Sequence, residues 1–223
     1  MTVRIAAVLV AVAAALAFFA AAPAVARQGA SPTAEATPDE NELPPLPGQI
    51  AEAEREYRAT EGRLTGTAQL LFGVGEFDTE EAAAAGIPAL AERIRTDPDT
   101  ANVPEVGGPT FGDESLAFSG EVDLDGTDVF VAYLAFRDGR FVHAWLGASL
   151  DADPLPDLLS LAERTMGGPG TPAAGTPESG TPDPISLLDR LPGLTDLPPG
   201  FVLVDESLET YNGAATPVAT PAT

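Results

Sequence analysis

The sequence contains no cysteine and no lysine, a single histidine and a single tryptophan. Without cysteine there is no disulfide framework, no thiol nucleophile and no thiolate-held metal or cluster. A zinc site takes several His or Cys ligands, and only His143 is on offer. A Ser-His-Asp arrangement would have to use that same His143, with Ser119 or Ser149 as nucleophile. Gly147-Ala148-Ser149-Leu150-Asp151 misses the nucleophile-elbow pattern because its closing glycine is absent. Positive charge is scarce as well: 11 Arg stand against 34 Asp and Glu, for a net charge of −23. Nucleic acids and anionic lipid surfaces are held by clustered Lys and Arg, so the balance argues against both as partners. A phosphate-cradling loop is also missing, since Gly73-Val74-Gly75 runs into Glu76, Phe77 and Asp78 rather than a basic helix start. No cofactor is expected.

What is present begins with a leader. Arg4, the apolar run Ile5–Ala22 and Ala24-Val25-Ala26 have the layout of a secretory signal with an A-x-A cleavage site, which predicts a signal peptide over 1–26 and a secreted, extracellular product. The competing reading is an uncleaved anchor that holds the protein at the cell surface. Residues 27–47 lack apolar periodicity and are rich in Pro, Thr and Glu, the composition of a disordered spacer. Residues 169–184 repeat Thr-Pro at 171, 176 and 181 as an extended linker, and 210–223 form a Thr-Pro-Ala tail.

Between these lies the stretch that organises the fold. From Leu116 to Ser149, Asp125-Gly126 and Asp138-Gly139 divide three runs rich in β-branched and aromatic residues. Asp-Gly suits a two-residue hairpin turn, whose central positions need positive φ. The spacing predicts a three-stranded antiparallel meander over 116–149, with Leu134 facing His143 and Ala132 facing Trp145. One face then carries Leu116, Phe118, Val122, Val129, Val131, Tyr133, Val142 and Leu146. The other carries Phe130, Leu134, Phe136, Phe141, His143 and Trp145. An antiparallel sheet with one wet face alternates apolar with polar, and this one does not. The second face therefore needs cover from the chain itself, from a second copy in a homodimer, or from an extracellular ligand or protein.

Leu64–Phe77 alternates as a fourth strand, and Asp78 with Glu81 reads as a capping box opening a helix that Gly86 and Pro88 should interrupt. Pro156 opens a second helix, with a stripe of Leu155, Leu158, Leu159, Ala162 and Met166. Gln49–Arg58 reads as a short helix with Glu54 and Arg58 as an i,i+4 pair. The expectation is an α+β domain over 48–168 with a sheet of about four strands, order β-α-β-β-β-α, helices packed on one face, and no need of its tails to fold. Residues 185–209 are too short to be a domain. They read as an added strand over the sheet or as the opening of a partial repeat, since Asp196-Leu-Pro-Pro-Gly echoes Glu42-Leu-Pro-Pro-Leu-Pro-Gly.

The signal, the Thr-Pro spacers, the turn Gly112-Asp113-Glu114-Ser115, the strand running into Phe136-Arg137-Asp138-Gly139-Arg140, and the Leu-rich helix together resemble a group of uncharacterised secreted domains of GC-rich bacteria. That resemblance implies export and an α+β fold, and no activity. Two chemical motifs remain. Glu121, Asp123 and Asp125 space like the first half of a calcium loop, but its twelfth position, which needs a bidentate Glu, is Ala132. Asp and Glu are abundant enough that a carboxylate-pair hydrolase is the alternative to a non-catalytic binding module, the reading the sequence favours.

Overall fold

The computed structural model describes residues 44–60, 66–98, 100–107, 110–124, 126–166 and 187–211. The expected signal and linker, most of the N-terminal spacer, the C-terminal tail from 212 onward, and Asp125 lie outside them. Thr210 and Tyr211, expected in the disordered tail, are instead ordered, Thr210 ending the last strand and Tyr211 N donating to the Ile50 carbonyl at 2.8 Å. Among the described residues, seven strands form one antiparallel sheet: β1 (Gln49–Ala59), β2 (Thr67–Phe77), β3 (Glu105–Val106), β4 (Glu114–Leu124), β5 (Thr127–Asp138), β6 (Phe141–Ser149) and β7 (Phe201–Thr210). Their spatial order is β3-β4-β5-β6-β2-β1-β7. Helix α1 (Glu80–Thr96) follows β2, and α2 (Leu155–Met166) follows β6. The α+β character is as expected, but the sheet is larger than four strands and the element order differs.

The first correction concerns 49–58, which is a strand rather than a helix. Ala51, Ala53 and Tyr57 point to one face and Glu52, Glu54 and Glu56 to the other, a period of two that matches the sequence AEAEREY. Arg58 accordingly pairs with Glu56 at 2.7 Å rather than with Glu54, and Arg55 reaches Glu206 of β7 at 2.6 Å. The second correction concerns the helices, which do not share a face. Helix α1 covers Phe118, Val122, Val129, Val131, Tyr133, Val142 and Leu146. Helix α2 and residues 187–201 cover Phe72, Leu134, Phe136, Phe141 and Trp145 on the opposite side. Gly147 permits the approach of α2: a Cβ there would meet Pro154 at 3.0 Å and Leu158 at 3.5 Å.

The meander keeps its expected faces with a shifted register. Leu124 pairs Thr127 around the first turn, as the spacing requires. At the second turn Asp138 stays in the ladder opposite Phe141, so Gly139 and Arg140 form the loop, and Gly139 takes φ 59°. Leu134 therefore faces Trp145 and Phe136 faces His143. The displacement is two residues, so each side chain keeps its side of the sheet. The Asp113 carboxylate holds this turn, accepting from Gly139 N at 3.0 Å and pairing with Arg137 at 2.8 Å.

Helix α1 runs unbroken past Gly86 and Pro88, and its N-cap is Thr79 rather than Asp78, with the Thr79 hydroxyl accepting from Ala82 N at 3.1 Å. Gly86 has a packing role, since a Cβ there would press on the Phe77 ring at 3.0 Å. The two Leu-Pro phrases are structurally alike. Each ends on a glycine of positive φ, Gly48 (82°) and Gly200 (99°), from which a strand departs, and the two strands, β1 and β7, pair with each other. Residues 201–210 thus join the sheet along most of β1, beyond the domain boundary at 168.

Candidate functional site

The aromatic face is a core. Leu134, Phe136, Phe141, His143 and Trp145 are all buried and Phe130 is half-buried. Trp145 meets Phe72 and Phe136 edge-on, at 5.2 and 5.3 Å between ring centres. His143 stacks flat on Phe136 at 4.6 Å, and neither of its ring nitrogens has a hydrogen-bond partner. Burial, with the Arg190 guanidinium nearby, pushes its pKa down to about 3, so the imidazole is neutral. Arg190 closes the edge of this layer, lying 3.6 Å over the Phe141 ring.

The serines that a triad would need are engaged elsewhere. Ser119 Oγ donates to Asp153 at 2.6 Å, and Ser149 Oγ lies 2.9 Å from both the Gly66 carbonyl and Asp151. The structure therefore does not bring His143 together with a serine. Glu121 and Asp123 are exposed at the first hairpin, where Asp123 accepts from Gly126 N at 2.6 Å and so braces the turn. Among the described residues no three acidic or histidine side chains converge closely enough to hold a metal ion.

Two features went unread in the sequence. The first is a carboxyl pair on the α1 side of β1. Glu52 and Glu54 lie over Gly75 and Gly73 of β2, where absent side chains leave them room. A Cβ on Gly75 would press on the Gln49 amide at 3.1 Å, and that amide donates to Glu52 at 2.9 Å. Burial pushes both acids up, Glu52 well above the ordinary carboxyl range and Glu54 to about 8. The signal was available in the strict alternation of Ala and Glu, but a helical reading spreads those acids around a cylinder.

The second is the margin of the sheet. Among the described residues strand β7 is an outermost strand, and Val202, Leu203 and Val204 on it are each nearly half exposed (46, 47 and 46 %). An outermost strand presents a row of backbone N–H and C=O groups with no sheet neighbour. Beside its start, Thr67, Leu70, Leu161, Arg164, Leu197, Pro198 and Phe201 line a shallow cavity of about 80 Å³. At the opposite margin β3 is only two residues long. No protein family, curated protein or solved structure matches this chain.

Proposed function

We propose that this chain is an exported, non-catalytic interaction module whose working surface is the free edge of β7. The observation that carries the reading is the run Val202-Leu203-Val204, three successive apolar residues exposed on a strand with an open edge. An extended polypeptide segment adds to such an edge through backbone hydrogen bonds, and its alternate side chains find the exposed apolar residues. The occupant should be basic. Asp205 and Glu209 follow the apolar run on the same strand, beside Glu206 that Arg55 already holds, and the whole chain carries −23, so a cationic segment of another protein is attracted where a second copy of this chain is repelled.

The test uses two short synthetic peptides, one alternating Val with Lys and one alternating Val with Glu, titrated calorimetrically into the intact protein. The Val-Lys peptide should bind saturably and lose affinity as salt rises. Changing Val202, Leu203 and Val204 together to Thr keeps strand propensity, removes apolar contact and should weaken binding about tenfold. Equal binding of the Val-Glu peptide, or no effect of the triple change, overturns the reading.

A further inference from the structure

Glu52 and Glu54 stand two apart on β1 and so share one face. They are 4 and 9 % exposed. Glu52 Oε2 is occupied, accepting from Gln49 Nε2 at 2.9 Å and from Tyr211 OH at 2.7 Å. Glu52 Oε1 and Glu54 Oε1 find no conventional donor, yet both are shut away from water. The two carboxyls lie beside each other on one face of β1, each with a buried oxygen that no donor reaches, and Glu52 acts on Glu54 directly. Two ionised carboxylates offer only lone pairs, so a bond between them needs a proton on one.

We propose that Glu52 and Glu54 share one proton in the folded protein, and that its loss drives the β7 edge strand away from β1, which makes this margin of the sheet a pH-released strap. With the proton in place, the chain of bonds runs from Gln49 through Glu52 to Glu54, and Tyr211 ties the far end of β7 back onto β1. Strand β7 adds Asp205 and Glu209 to the surroundings, β1 adds Glu56, and β2 adds only Gly73, Gly75 and the amide of Gln69, which donates to Glu56 at 2.9 Å. From α1 the Arg93 guanidinium approaches Glu52 and Tyr211 while donating to the Pro44 carbonyl at 2.7 Å.

Once the pair is fully ionised, two adjacent carboxylates confront the acids of β7 in a buried site, and the strain is relieved by moving outward. Strand β2 cannot yield, because β1 and β6 hold it on both sides, whereas among the described residues β7 has a strand neighbour on one side only. The direction follows from burial. Both carboxyls titrate above their unfolded value, so the latch is complete at mildly acid pH and opens as pH rises through about 8. Burial and the Glu52 charge push the Tyr211 phenol upward, so it remains a donor throughout. Its bond favours ionised Glu52 and opposes the release, which the repulsion from Asp205 and Glu209 and the cost of the buried charges must exceed.

Amide hydrogen exchange of the intact protein, read by mass spectrometry on peptides spanning β7 and corrected for intrinsic rate, tests this. Protection of residues 201–211 should fall about tenfold or more between roughly pH 6 and pH 9, while β5 and β6 stay protected. Glu54→Gln supplies an amide in place of the shared proton and should leave β7 protected across that range. Glu52→Gln should do likewise if the first variant folds poorly. Glu56→Gln, which removes a charge outside the pair, should keep the wild-type pH response. Constant protection of β7 in the wild type, or the same loss in both pair variants as in the wild type, overturns the proposal.

Discussion

At the scale of single residues, His143 shows how a side chain with chemical potential becomes a structural one. It is fully buried, stacked on Phe136 and lacks a hydrogen-bond partner at either nitrogen. Its pKa is depressed to about 3, so protons bind the unfolded chain first. Its contribution to stability is therefore fully present above about pH 6.5, and is lost as pH falls toward 3, a term on the order of a few kcal/mol. Urea denaturation across that interval should show the loss, and His143→Leu should flatten it. The same variant removes two unsatisfied buried nitrogens and should be at least as stable as the wild type at neutral pH. The sequence placed His143 on the right face, because hairpin parity alone decides faces. The missing hydrogen bond was not legible, since it depends on what α2 and residues 187–201 bring over the sheet. Glu52 and Glu54 were hidden for a different reason: they lie on a strand whose neighbour β7, and the Tyr211 hydroxyl that donates to Glu52, come from about 150 positions away in the chain.

At the scale of elements, the meander, β2 and an added strand from the C-terminal segment were readable, whereas β1, read as a helix, was not. The meander rests on neighbours in sequence. By contrast β1 pairs with β2 across a short connection and with β7 from the far end of the chain, and Ala-Glu-Arg composition favours helix locally. Tertiary pairing won. Two predictions belong here. Removing 187–211 uncovers β1 along its length and strips Leu187, Leu191, Leu197 and Phe201 from the α2 side of the core. Thermal denaturation followed by circular dichroism should show a fall in Tm of well over ten degrees, or no cooperative transition, contrary to a domain complete at 168. Leu158→Ala opens a void at the buried centre of α2 and should cost about 2–5 kcal/mol by urea titration. Trp145 is buried, so its emission should be blue-shifted in the wild type and should move to longer wavelength as that cover loosens.

At the scale of the whole molecule, charge and topology act together. A chain of net charge −23 repels itself, so added salt should raise Tm in the low-salt range until screening saturates. A denaturation series in sodium chloride checks this, and a flat response would contradict it. Acidity was a matter of composition and needed no fold, whereas the two-sided cover of the sheet required knowing where α2 crosses. The pairing of β1 with β7 has a mechanical consequence. Ala51 lies opposite Thr210 and Ala59 opposite Phe201, so the strand ends that lead to the two chain termini sit side by side. A pull applied between the termini meets the β1–β7 hydrogen bonds one at a time, as a zipper opens, rather than all at once in shear. The strand should therefore peel away at low force and reseat when tension falls, leaving the meander and its two helices intact. Optical tweezers attached beyond residues 44 and 211 would record that as a small, reversible extension ahead of the main rupture.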